Sequence, residues 1–319
     1  SLGLAHSYID ALAATGVDAA KFQIHIAAAE SSIHEPFRVK FSYEDATRFD
    51  YWQRMSFTLE QWAGLKQHCE DKGLEFLASP FSNAAVDLLE SLGVARYKIG
   101  SGEVTNLLML EKIARTGKPI LLSSGMSNYT ELDEVVGFLR ARRCTFAILQ
   151  CTTAYPTPPA RWGLNVIPEL KARYAVPVGY SDHSGTQTAC IAAAALGADI
   201  FEFHVAFDRR MFGPDARASL TIDEIGTLVT SIRSVRQALA NPVDKSSNRE
   251  FSDLKRIFEK SLSVNQALSA GNTLTFEMLE SKKPSGYGLE AGRFQEVVGR
   301  RLNRDLEKWS FLNLEDMDD

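Results

Sequence analysis

The chain has 319 residues, room for one large domain and a small one. Hydrophobic residues make up 45% and charged residues 24%, which excludes the composition of a disordered chain. The net charge of −5 excludes a generally basic surface for nucleic acid or an anionic membrane, so an anionic substrate would need a local basic pocket.

No run approaches the roughly 18–20 apolar residues that span a bilayer, and no signal peptide opens the sequence. Cys69, Cys144, Cys151 and Cys190 lack C-x-x-C spacing and sit in apolar or helical contexts. Free thiols and a reducing cytoplasm are the expectation.

Residues 1–14 read as a helix, whereas an α/β chain normally opens on a strand. Seven short apolar or β-branched runs follow, at residues 20–26, 74–79, 97–101, 119–124, 145–152, 176–181 and 200–206. Amphipathic helical segments separate them. Thr58 with Gln61, Thr130 with Asp133, and Thr221 with Glu224 each read as a capping box ahead of an apolar stripe. Strands alternating with helices imply a parallel sheet buried on both faces. Seven such repeats plus a first strand lacking from this chain would make an eight-stranded (β/α) barrel. An open doubly wound sheet is the alternative, but no G-x-G-x-x-G follows any strand.

One connection is long. Residues 27–57 carry His34, Arg38, Tyr43, Arg48, Tyr51 and Trp52, and read as a lid or interface element, or as a surface insertion. The alternation stops at residues 241–248, NPVDKSSN. The expected organisation is therefore a barrel over residues 1–240, a polar linker over 241–257 and a small β-rich domain over 258–319.

Every predicted strand ends in polar residues, where a barrel keeps its active site. Lys21, Gln23 and His25 come first, then Ser79, and then Lys98 with Ser101 and Glu103. Ser123, Thr153 with Tyr155, Ser181 with His183, and Glu202 with His204 follow. Seven polar endings in register are hard to assign to packing, because buried polar groups cost free energy unless paired. Lys21 and Lys98 lie within core strands and suit a phosphate and a carboxylate on one small ligand. The alternative is structural pairing with Glu202 or Glu103. His183 and His204 end consecutive strands and suit a divalent metal with open positions, or are simply two satisfied core histidines. Asp215, in a Gly213-Pro214-Asp215 turn, is placed to reach the same point. His6, His34 and His68 read as ordinary packing or surface residues.

The segments KFQIH, SPFS, YKIGSGE, LLSSGM, CTTAYPTP, GYSDH, FEFH and GPDAxxSL occur in this order along the chain. In that order they resemble the sialic acid synthases. The tail, with KKPSGYG and GRRLNRDL, resembles that family's antifreeze-like (SAF) domain. The resemblance implies a TIM barrel, a domain-swapped homodimer and a cytoplasmic enzyme. It implies condensation of phosphoenolpyruvate with N-acetylmannosamine or a related amino-sugar aldehyde. It also implies a divalent metal, Mn²⁺ foremost with Mg²⁺ or Co²⁺ as alternatives, on His183 and His204. Lys21, Ser79, Lys98, Ser101, Ser123, Thr153 and Ser181 match phosphoenolpyruvate positions. Gln23, Tyr155 and Asp215 match sugar positions. Lys21, Lys98, Glu103, His183 and His204 are the expected catalytic set. A legionaminate-type synthase, a sugar-phosphate-condensing enzyme and an inactive sugar-binding homologue are the alternatives. Thr153 stands where many relatives carry asparagine, and Glu307, with Arg304 nearby, stands where the family has a sugar-contacting arginine.

Overall fold

The structure is a computed structural model, described for residues 1–318. The chain divides into two compact units, Ser1–Asn241 and Pro242–Asp319.

In the first unit seven parallel strands follow chain order. They are β1 (Ala19–Ile24), β2 (Glu75–Pro80), β3 (Tyr97–Ile99), β4 (Ile120–Ser123), β5 (Phe146–Cys151), β6 (Val178–Asp182) and β7 (Phe201–Phe203). β1 pairs with β2, β3 to β7 pair in sequence, and β2 lies beside β3. Strand–helix alternation with each strand beside the next is a curled parallel wall, the half-barrel form of an α/β fold. The predicted run at 200–206 is broken at His204. Val205–Ala206 (β8) pairs instead with Leu220–Thr221 (β9), and the His204 carbonyl accepts the Leu220 N–H at 2.9 Å.

Two-residue periodicity sorts the side chains. Tyr97, Ile99, Ile120, Leu122, Phe146, Ile148, Val178 and Tyr180 belong to the large core packed with the helices. The alternate positions face inward. Leu77, Leu121, Ala147 and Leu149 form a separate apolar cluster there. Each fully buried leucine of this kind contributes about 1.5–3 kcal/mol. Toward the C-terminal strand ends the same inward rows turn polar. Gln23 is in register with Ser79, Cys151 with Ser181, and Ser181 with Glu202. Gly179 lets β7 come close, since a Cβ there would lie 2.6 Å from the Ile200 carbonyl oxygen.

The capping boxes of Thr58 with Gln61 and Thr221 with Glu224 are present. The third predicted box is corrected. Asn128, not Thr130, caps helix Tyr129–Ala141, with reciprocal 3.0 Å bonds to Glu131. Two overlapping pairs compete in SNYTELD, and Asp133 is committed elsewhere, to Arg173 and the Tyr174 hydroxyl.

In the second unit β10 (Ser261–Val264) pairs antiparallel with β11 (Leu279–Lys282). Single bridges join Leu268 with Leu306 and Leu302 with Met317. Leu262, Val264, Leu274, Val297, Leu302 and Leu312 make its own core. Within the stretch expected as linker, Ser252–Phe258 is helical. Among the described residues, no helix is long and apolar enough to cross a membrane.

Candidate active site

The inward rows of all seven strands converge on a recess of about 180 Å³ at their C-terminal ends. Of the residues predicted from sequence, Lys21, Gln23, Ser79, Lys98, Ser101, Ser123, Thr153, Tyr155, Ser181, His183, His204 and Asp215 all line it. Glu103 does not. Its carboxyl lines a neighbouring recess of about 220 Å³ with His25, Glu30 and Trp52, and Phe81 borders both recesses.

Both lysines converge on Glu202 and neither on Glu103. Lys21 pairs with Oε1, and Lys98 Nζ lies 3.2 Å from Oε2. Lys98 also donates to Ser123 Oγ at 2.6 Å and to the Ile99 carbonyl at 3.1 Å. Neither Glu202 oxygen makes a well-directed hydrogen bond, so the pairing is one of charge rather than of direction. Burial works to raise the Glu202 pKa. The two ammonium groups outweigh it and hold the carboxyl far below its ordinary value. Burial pushes Lys98 down, against the pull of Glu202. Two cations against one carboxylate leave this cluster an excess positive charge, while Asp215, the other carboxylate of the lining, is paired with Arg38. Gly125 adds to the cradle by donating its N–H to Ser101 Oγ at 3.2 Å.

Beside this cluster His183 and His204 lie side by side, ring centroids 5.2 Å apart, with the Tyr155 ring 4.3 Å from His183. His183 Nδ1 donates to the Thr152 carbonyl at 3.1 Å, which leaves Nε2 as the lone-pair nitrogen. Burial lowers His183. Burial, and after it the charges of Lys21 and His183, push His204 down to about 4. Both rings are neutral near pH 7, the form that binds a metal. Among the described residues, no group of three or more His, Cys, Asp or Glu is arranged to hold a metal ion. Two adjacent imidazoles are the donors that this mouth would offer a divalent ion.

The long connection reaches this site. Arg38 stacks 4.2 Å over the Tyr155 ring and donates from Nη2 to Asp215 Oδ1 at 2.7 Å. Burial pushes the Tyr155 hydroxyl well up, so it remains a proton donor. Sequence reasoning put Arg38 in a lid or interface connection but not at the site, because a 31-residue connection carries no periodicity to say where a side chain falls. It named Glu202 as a polar strand end and a possible structural partner of the lysines but gave it no site role, although alternation in FEFH puts Glu202 and His204 on one face.

A parallel-stranded α/β wall with a lysine–glutamate cluster and two neutral imidazoles at its C-terminal mouth has the layout of a barrel-class enzyme. The chain belongs to the NeuB family, whose model matches residues 8–244. It is 35% identical over 313 residues to an N,N'-diacetyllegionaminic acid synthase of Campylobacter jejuni, covering 96% of this chain and 93% of that one. It is 34% identical to the N-acetylneuraminate-9-phosphate synthase of Mus musculus, covering 85% and 77%. Among solved structures, the N-acetylneuraminic acid synthetase of Leptospira borgpetersenii superposes with a TM-score of 0.69 at 27% identity, covering 79% of this chain and 85% of that one.

Proposed function

We propose that the protein condenses phosphoenolpyruvate with the open-chain aldehyde of N-acetylmannosamine or a close relative, giving a sialic-type acid and phosphate. The observation that carries this is the Lys21–Glu202–Lys98 cluster beside Ser123, in one recess with the imidazole pair. Lys98, Lys21, Ser79, Ser101, Ser123, Thr153 and Ser181 hold phosphate and carboxylate in a preorganised field. Gln23, Tyr155 and Asp215 orient the sugar. Carbon 3 of phosphoenolpyruvate forms the new bond to the aldehyde carbon, whose oxygen takes a proton. Water adds at carbon 2, the adduct loses a proton, and the carbon 2–oxygen bond breaks to release phosphate. Glu103, whose carboxyl is raised by burial, lines the neighbouring recess, so the water's proton passes to solvent or to the departing phosphate rather than directly to that carboxyl. A divalent ion bound by His183 and His204, Mn²⁺ foremost, would supply Lewis acidity toward the aldehyde oxygen.

The proposal extends to an antifreeze-like domain over residues 258–319, a homodimer and a cytoplasmic location. The likeness to the legionaminic acid synthase makes a diacetylated amino-sugar aldehyde the second reading of the acceptor. The test is phosphate release from phosphoenolpyruvate with a panel of free and phosphorylated amino sugars and Mn²⁺, with mass spectrometry of the product. Lys98→Ala should abolish release and phosphoenolpyruvate binding while the circular dichroism spectrum is kept. Unchanged phosphoenolpyruvate affinity in that variant would sink the assignment. Light scattering tests the dimer.

A further inference from the structure

Arg209 follows β8 and lines no part of the main recess. Its guanidinium nonetheless reaches three segments of the chain. Nη2 donates to the Gly185 carbonyl at 2.7 Å, and Nε donates to the Ser219 carbonyl at 3.0 Å. Nη2 also pairs with Glu224, whose Oε2 accepts the Thr221 N–H at the start of helix Ile222–Ala240. Gly185 stands two residues after His183. Ser219 closes the turn of Asp215, since its Oγ donates to the Asp215 carbonyl at 2.9 Å. Leu220, the next residue, donates its N–H to the His204 carbonyl.

The two loops also touch directly at this point. Gly185 has a φ of +68°, and a Cβ there would lie 2.6 Å from the Arg217 carbonyl oxygen. The Gly185 and Ser219 carbonyls converge on one place, and two acceptors without a donor between them would be left unpaired. A guanidinium carries its donors in a rigid planar fork, so it answers both carbonyls and the Glu224 carboxylate at once. A lysine ammonium is a point charge on a flexible stem and fixes no such angles. None of these bonds goes to a side chain of the recess, so the arginine acts on the site through where it sets the loops.

We propose that Arg209 is a positioning residue that fixes His183 and Asp215 relative to each other, and so sets the imidazole side of the mouth rather than the lysine side. The inference rests on the reading of His183 as a metal donor and of Asp215 as a sugar contact. The Lys21–Glu202–Lys98 cluster takes its residues from β1, β7 and β3, none of them in these loops.

The test uses the full chain, with calorimetric titration of Mn²⁺ and steady-state phosphate release from phosphoenolpyruvate and N-acetylmannosamine. Arg209→Ala should lower Mn²⁺ affinity about tenfold. It should raise KM for the sugar about tenfold while KM for phosphoenolpyruvate moves less than about twofold. Arg209→Lys keeps the charge and loses the fork, so it should show the same split. Gly185→Ala pushes the same two loops apart with the arginine in place, and should reproduce it. A merely structural arginine would lower the melting temperature and leave Mn²⁺ affinity and sugar KM unaltered. That result in Arg209→Lys, or loss of its folded circular dichroism spectrum, overturns the proposal. Equal rises in both KM values overturn it as well. Absence of phosphate release by the wild type with every acceptor would overturn the proposed reaction instead, and the Mn²⁺ titrations then decide for Arg209. A wild type that releases phosphate but binds no Mn²⁺ removes the metal reading, and the KM split decides. Failure of both readings takes the inference with it.

Discussion

Lys98 and Glu202 face each other at 3.2 Å across the inside of the strand wall, from β3 and β7. Lys98 is 3% exposed, so its charge depends on this partner and on Ser123. Losing one member of a buried pair leaves the other uncompensated. Glu202→Gln should destabilise the protein by about 3 kcal/mol or more, read from urea unfolding at pH 7. The same variant should weaken phosphoenolpyruvate binding, because two unbalanced ammonium groups repel and no longer converge.

The pH dependence has a definite sign. The folded Glu202 carboxyl is held below its ordinary value. Its stabilising contribution is therefore complete above the unfolded value of about 4.3, and is lost as pH falls through the lower folded value. Urea midpoints of the wild type should decline below about pH 4.3, and Glu202→Gln should show a shallower decline. Parallel acid limbs in the two proteins would remove Glu202 from the account.

His183→Ala and His204→Ala should each lower Mn²⁺ affinity more than about a hundredfold while the circular dichroism spectrum is kept. Calorimetric titration of each purified variant with Mn²⁺ decides this. Retention of tight binding by both would place the ion elsewhere.

Gly125→Ala would put a Cβ 2.6 Å from Ser101 Oγ and 2.8 Å from both Cys151 Sγ and Thr153 Oγ1. Those three side chains would have to rotate or shift to make room. Phosphoenolpyruvate affinity should drop by about tenfold or more from this one methyl group. An unaltered dissociation constant would show that the cradle lies deeper.

Asn128→Ala should cost about 1 kcal/mol, since it removes the Oδ1 that accepts the Glu131 N–H of helix Tyr129–Ala141. Thr130→Ala, at the second position of the helix, should change stability by less than about 0.5 kcal/mol. Chemical denaturation of the two variants side by side separates the observed cap from the one read in the sequence.

Much of the wall was legible because its chemistry is local. Alternation in YKI and FEFH is enough to send Lys98, Glu202 and His204 to one side of the sheet, and polar strand ends announce a barrel mouth. Legibility failed where two local solutions compete or where distance decides. SNYTELD contains two capping pairs, and only the packing of Asp133 against Arg173 selects between them. Glu103 follows β3 by four residues, yet the short helical turn Ser101–Glu103 carries its carboxyl into the second recess. Arg38 and the stacking of His25 on Trp52 depend on where a long connection comes to rest, and nothing periodic records that.

The Arg38–Asp215 contact joins that connection to the far side of the mouth through two side chains that are 43% and 33% exposed. Water and salt reach such a pair, so its strength falls as ionic strength rises. Under the proposed reaction, a substrate reaching the recess would pass a contact whose grip is set by the surrounding electrolyte. Turnover limited by that contact will respond to salt, and turnover limited by bond making at the buried lysines will not.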